Sequence, residues 1–482
     1  MTTLRFGGWD LTPCLGVVVP DQGSPGWIDA VFWCAILEAW GFPFERIEPR
    51  ALARARCTTL VLPGPAVDEE LARATRDALA RVAGVRAIVT GDRTPAADDL
   101  EAVRFEPSAT RLSPADTEDV VDAIEPTLRE GALAGLVGVW RWPNAKTAAL
   151  VVDGDVDHPT GVDPECSRYV APAIETARRA GFTTYGVFAA AANVQAEPRS
   201  FPPGAEYYNH SFTHPYSHWN SRPWESLDAD AMAEELTRAA ETYRTELGVS
   251  DQGVFRLPHF QLEAWDRTAD VLEALGYRAD SSIGGNVSVT GGLPFHPARA
   301  PWSDRPEDAA YARTHPDVAG RRPFLQLPIS TDPTDPWFPH GCCSYNTLGE
   351  GVRARTAEPA AYEAVLHEVL DRAVARRGLA HVFIDPPDVG YGRLPGDRPD
   401  YASAVERFLT RAVEREDLAI MTTAGLVDWW LGREAAVSRL TWREEAGTLE
   451  VTLDRAPTGS TLVLLEPGGD WSLRATDRER VA

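Results

Sequence analysis

Leu150-Val151-Val152-Asp153-Gly154-Asp155-Val156-Asp157-His158 is the stretch on which the reading of this chain turns. With Thr147-Ala148-Ala149 before it, the segment opens as a near-continuous apolar run, the pattern of a parallel strand buried on both faces. Three carboxylates begin where the run stops, and parallel sheets and barrels carry their chemistry at the carboxyl ends of strands. Downstream, Asn209-His210-Ser211-Phe212-Thr213-His214-Pro215 holds two histidines four apart, a spacing that puts both rings on one side of a helical turn or compact loop. One carboxylate oxygen and two imidazole nitrogens are a ligand set for one divalent metal.

The totals narrow the classes. A chain of 482 residues is too long for one compact core and suggests about three units. Its 44% hydrophobic content and 15 Trp argue for globular packing rather than disorder. The excess of 71 Asp+Glu over 47 Lys+Arg, a formal net charge of -24, repels phosphate backbones and anionic membranes, so neither nucleic acid nor membrane is expected as a partner. Lys146 is the only lysine, a bias that fits a GC-rich coding sequence, with high-salt adaptation as the competing explanation. Cysteines at 14, 34, 57, 166, 342 and 343 form no C-x-x-C pair, which excludes a zinc ribbon or thioredoxin motif by spacing. Met1 to Phe6 opens into polar and turn residues and no later run reaches membrane-spanning length, so a cytoplasmic location is expected.

Along the chain, residues 1–135 alternate strand-like runs (Leu15 to Pro20, Thr58 to Gly64, Val85 to Thr90) with helical patterns (an amphipathic Trp27 to Trp40, Glu69 to Val82), predicting a parallel three-layer α/β, Rossmann-like domain. Its Val61-Leu62-Pro63-Gly64-Pro65 resembles the strand-turn of flavodoxin-like and glutamine-amidotransferase-like domains. No G-x-S-x-G elbow or P-loop occurs there, and a scaffold or substrate-gating role is the expectation. A helix over Ala115 to Gly131 links it to the next unit, 136–436, which repeats the alternation. Helices are expected at Cys166 to Ala180, Ala229 to Leu247, Ala264 to Leu275, Tyr362 to Ala375 and Asp400 to Val413, and a short Trp-rich one at Leu426 to Leu431. The Pro- and Gly-rich region 284–350 reads as long loops over the strand ends. From 437 to 482 the period changes to strands, Leu449 to Leu453 and Thr461 to Leu465 about a Pro457-Thr458-Gly459 turn, predicting a small antiparallel β domain.

Over roughly residues 140–435 these pieces resemble the polysaccharide deacetylase family, carbohydrate esterase family 4, whose fold is an irregular (β/α) barrel. His210-Ser211-Phe212-Thr213-His214-Pro215 is similar to the family's H-[ST]-x-x-H-P metal motif, and Phe255-Arg256-Leu257-Pro258-His259 to its R-x-P-aromatic motif, with His259 in place of the aromatic. The acidic segment is closer to a D-x-D form than to the common adjacent F-D-D-G. That form implies Asp155 as general base and Asp157 as metal ligand beside His210 and His214; a register two residues earlier, Asp153 and Asp155, stays open. Arg256 is implied to orient the catalytic Asp and hold it ionised. The strand His381-Val382-Phe383-Ile384 ends in Asp385 where the family often has its acid His, which leaves Asp385 or water to protonate the leaving group.

The resemblance thus implies a metal-dependent amide hydrolase that removes acetyl from an N-acetylated sugar or related small amide. Zinc is the default ion, with Co, Ni or Mn suited to the same donors. His259 and Trp219 are candidate substrate contacts, and Trp224, Trp302 and Trp337 are further loop aromatics that could stack on a sugar. The competing expectation is a deacetylase-fold carbohydrate-binding protein that has lost turnover. Oligomeric state is not readable.

Overall fold

The computed structural model describes residues 2–7, 14–21, 24–55, 57–80, 86–91, 93–106, 117–132, 135–157, 166–215, 223–258, 264–282, 296–299, 322–330, 358–386, 401–437, 441–445, 448–466 and 471–476. It is a mixed α/β protein that divides into two compact units. One gathers the described residues up to Ala145 with those from Asp428 onward; the other gathers the described residues of 146–307 and 321–427. No described helix is long and apolar enough to cross a membrane.

The first unit contains a five-stranded parallel sheet in the order Glu45–Ile47, Leu15–Val18, Thr59–Pro63, Arg86–Thr90, Ala102–Phe105. Its middle strands are apolar on both faces, as crossover helices require. The helix Trp27–Trp40, expected to be amphipathic, buries Trp33, Cys34, Ile36 and Leu37 completely. An apolar stripe with a polar back face is the mark of a helix at the surface, and this one has no such back face. The same unit holds two three-stranded antiparallel sheets. Thr448–Leu453 pairs with both Thr441–Glu445 and Thr2–Gly7, while Thr461–Leu465 pairs with both Trp471–Ala475 and Leu136–Val139. The two late strands expected to form one hairpin therefore lie in different sheets, and the opening residues, read as turn-like, supply an edge strand.

The second unit is built on a curled, largely parallel sheet ordered Ala298–Arg299, Leu325–Gln326, Ala279–Asp280, Val254–Phe255, Glu206–Asn209, Gly186–Ala189, Ala148–Val156, Leu379–Phe383. Every residue of Ala148–Val156 is buried. Along it, Ala149 to Asp153 pair with Leu379–Phe383, Asp153 to Val156 with Gly186–Ala189, and Ala148 to Leu150 with Leu418–Ile420. One strand meeting three neighbours in this staggered way curls the sheet toward a barrel. Helices Val170–Arg179, Pro359–Ala375 and Tyr401–Val413 bury Ala173, Ile174, Leu366, Leu370, Phe408 and Leu409 in the core shared with these strands. Each buried Leu, Ile or Phe contributes on the order of 1.5–3 kcal/mol, which anchors the strand ends where the carboxylates sit.

Several local readings change. The helix from Ala229 is regular to Thr242 and closes in a wider π turn, Tyr243–Leu247, before Gly248 in the left-handed region. The predicted Leu426 to Leu431 helix runs instead from Thr423 to Val437. Within the region read as long loops, 296–299 and 322–330 carry an antiparallel strand pair; the rest lies outside the described residues.

Candidate active site

Side chains alternate across a strand, so Asp153, Asp155 and Asp157 emerge on one face while Gly154 and Val156 take the other. Gly154 is there for space: a Cβ on it would come within 2.0 Å of the Ile384 carbonyl oxygen. The adjoining chain is held that close by the Ile384 N–H, which donates to the Asp153 carbonyl at 2.7 Å. This contact also carries Asp385 alongside, where its Oδ1 accepts from the Asp155 N–H at 2.8 Å.

The histidines sit in a tight turn after Glu206–Asn209. Ser211 and His214 adopt φ of 63° and 52°, left-handed values that side-chain-bearing residues hold only when their surroundings enforce them. Local polar groups do so here. Asn209 Oδ1 accepts from the Ser211 N–H at 2.9 Å, and Ser211 Oγ accepts from the His214 N–H at 3.0 Å. Glu235, reaching in from helix Ala229–Thr242, accepts from the N–H groups of Phe212 and Thr213 at 2.9 and 2.7 Å and from Thr213 Oγ1 at 2.8 Å.

The turn presents His210 Nε2 at 3.5 Å and His214 Nε2 at 3.1 Å from Asp157 Oδ1, with ligand atoms of all three residues within 4.8 Å of one another. His210 Nδ1 lies 2.9 Å from the Arg256 carbonyl, to which it can only donate. In the neutral ring the proton therefore sits on Nδ1, which leaves Nε2 to offer its lone pair to a cation beside Asp157. His210 Nε2 is buried and makes no hydrogen bond among the described residues, the condition of a donor atom meant for a cation. Both rings are fully buried, whereas Asp157 leaves 21% of its side chain exposed, so the cluster opens at Asp157. These residues fit a divalent metal.

Behind the cluster lies Arg256, just past the strand Val254–Phe255 and fully buried. Its Nη1 donates to Asp155 at 2.7 Å, and its Nη2 to Asp153 and to Ser281 Oγ, each at 2.8 Å. Its Nε donates to the Ser281 carbonyl at 3.0 Å, and the guanidinium carbon lies 3.9 Å from the centre of the Phe188 ring. Asp153 is further bound by His381 Nε2 and Thr423 Oγ1, both at 2.8 Å. Burial raises the pKa of Asp153, but Arg256 and His381 outweigh it and hold the carboxyl below its usual range. Burial likewise raises Asp157, and His214 and His210 more than reverse it. Asp155 differs: burial outweighs Arg256 and His210, and Asp157 adds repulsion, so its net shift is upward, not the depression expected from an Arg partner. A carboxylate with a raised pKa is the stronger proton acceptor.

Of the residues singled out in the sequence, Asp155, Asp157, His210, His214, Arg256 and Asp385 are brought together at these strand ends. His259, Trp219, Trp302 and Trp337 lie outside the described residues. Trp224 is no stacking surface: it is fully buried, donates from Nε1 to Thr268 Oγ1 at 2.8 Å, and packs on Phe255. Sequence reading missed His381, Thr423, Ser281 and Glu235. For His381 a signal existed, a titratable ring inside Leu379-Ala380-His381-Val382-Phe383, a run otherwise apolar on both faces, which must find a polar partner when buried.

No family model matches the sequence, and no curated protein does. Among solved structures, the chain is similar to a polysaccharide deacetylase from Mycobacterium smegmatis (17% identity, TM-score 0.42, covering 60% of this chain and 91% of that one). It is also similar to a 4-alpha-glucanotransferase from Thermococcus litoralis (11%, 0.36, 58% and 40%) and to a family 4 carbohydrate esterase from Streptococcus mutans (13%, 0.32, 58% and 87%). Polysaccharide deacetylases and family 4 carbohydrate esterases are thus among the structural neighbours of this chain.

Proposed function

We propose that this protein is a metal-dependent amide hydrolase that removes acetyl from an N-acetylated sugar or a related small amide. The observation that carries the reading is the convergence of Asp157, His210 and His214 beside an Asp155 held by buried Arg256. Those three residues would hold a divalent ion, zinc by default, which would supply Lewis-acid activation of water and of the substrate carbonyl. Asp155 accepts the proton of the attacking water, its basicity raised by burial and its direction fixed by Arg256. Asp385, tethered to the Asp155 N–H, stands at the same strand end as the group that returns a proton to the departing amine. Asp153 is tied up by Arg256, His381 and Thr423; in this reading it positions Arg256 and binds no metal. The opening at Asp157 is the side from which substrate enters, and the acidic surface favours a neutral or cationic substrate over a polyanion.

The test is elemental analysis of wild type, His214→Ala, Asp157→Ala and Asp153→Asn, followed by acetate release from N-acetyl sugars. The expected result is loss of about one metal equivalent in the first two variants and retention in the third, with turnover only where metal is kept. Equal metal content in wild type and His214→Ala overturns the ligand set. Metal without turnover on any N-acyl substrate points to a binding protein.

A further inference from the structure

A second convergence of ligand-type side chains lies in the other unit, at the opposite kind of sheet edge. Cys14 immediately precedes strand Leu15–Val18, Cys57 lies two residues before Thr59–Pro63, and Glu45 opens Glu45–Ile47. These three strands are adjacent and parallel, so the three residues meet at their amino ends. The Cys14 and Cys57 sulfurs are 3.3 Å apart, Cys57 Sγ is 3.7 Å from Glu45 Oε2, and all three ligand atoms fall within 4.8 Å of one another.

The backbone holds this geometry in place. The Cys14 carbonyl accepts from the N–H groups of Thr58 and Thr59 at 2.8 and 3.0 Å, and the Cys14 N–H donates to Thr58 Oγ1 at 2.9 Å. Gly16 belongs to the same construction, because a Cβ there would lie 2.7 Å from the Cys57 sulfur. Cys57 is buried, Cys14 half-buried and Glu45 exposed, so the trio meets solvent at the carboxylate.

We propose that Cys14, Cys57 and Glu45 form a thiolate site for a soft divalent metal, zinc by preference, that clamps the amino ends of three strands. Zinc–sulfur bonds of about 2.3 Å in a tetrahedral arrangement separate two sulfurs by about 3.8 Å, so the pair needs to open by only about half an ångström. A disulfide instead requires the sulfurs to close to about 2.05 Å and leaves Glu45 without a role. In the metal-free chain the two thiols point in series toward Glu45 as weak S–H donors, and a bound cation would take the place of those protons. Two thiols and one carboxylate complete three positions, and the exposed side leaves a fourth for water. Sequence spacing hides the site, because its cysteines are 43 residues apart.

The test uses the full chain, reduced with a phosphine, stripped with chelator and titrated with cobalt(II) as the probe. Sulfur-to-cobalt charge-transfer absorption in the near ultraviolet reports thiolate ligation, which the Asp157, His210 and His214 set cannot produce. The proposal expects this band in wild type and in His214→Ala, its loss in Cys14→Ser, its weakening in Glu45→Gln, and its displacement by zinc. Because Cys57 is buried and its serine variant risks misfolding, Cys14→Ser and Glu45→Gln carry the test, with far-ultraviolet circular dichroism confirming the fold. Absence of the band in wild type, or its persistence in Cys14→Ser, overturns the proposal. So does a Cys14–Cys57 disulfide, mapped by mass spectrometry, that forms as fast with zinc present as without it.

Discussion

Arg256 is a single fully buried cation bridging Asp153 and Asp155 at 2.8 and 2.7 Å, and replacing it with methionine keeps most of the side-chain volume while deleting the charge. Removing one partner of a buried pair typically costs about 3–5 kcal/mol, because the remaining charge is stranded in low dielectric. Here two carboxylates are stranded, although His381 and Thr423 still serve Asp153, so the upper half of that range is expected. The readout is hydrogen exchange of peptides spanning Ala148–Val156 in the intact chain, where opening should become about a thousandfold more frequent. The sign with pH is defined. Arg256 holds the Asp153 pKa down, so the wild type gains stability from that group at neutral pH and loses it as pH falls into the acid range. In Arg256→Met both carboxyls shift upward, and the folded variant takes up protons that the wild type does not. The deficit should therefore be largest at pH 8 and shrink toward pH 5, and Asp153→Asn added to Arg256→Met should recover part of it. A deficit under about 1 kcal/mol, or one unchanged between those pH values after correction for intrinsic exchange, would refute the buried-bridge argument.

Two further predictions concern its neighbours. Glu235→Ala removes the acceptor for three donors in the His210 to His214 turn without touching a ligand atom, and metal affinity measured by competition with a chromophoric chelator should fall about 10–100-fold. Burial pushes Asp280 up to about 7 despite hydrogen bonds from Ser282, so this group favours the folded state at acid pH and its contribution is lost as pH rises from about 4 to about 7. Asp280→Asn should flatten the stability profile across that window by up to about 4 kcal/mol in urea titrations, and parallel profiles for variant and wild type would refute the assignment.

The parts of this molecule legible from sequence are those whose cause is local. Ala148–Val156 announces itself because a strand covered on both faces must be apolar throughout, and the acids mark where cover ends. His210 and His214 read as a pair because a spacing of four sets both within one turn. Environment, by contrast, is set by residues far along the chain. Asp153 looks interchangeable with Asp155 until His381 and Thr423, 228 and 270 residues away, are seen to fill its oxygens. Trp224 and Trp27–Trp40 read differently in the fold for the same reason, since composition tells what a side chain can do and only packing tells whether it meets solvent. Cys14 and Cys57 carry no motif spacing, yet parallel pairing of their strands brings the two sulfurs into contact. Local periodicity acts over a few residues of backbone and is written in order along the chain. Contacts across a sheet depend on which strands become neighbours, a choice made by the whole core at once and therefore visible only in the folded molecule.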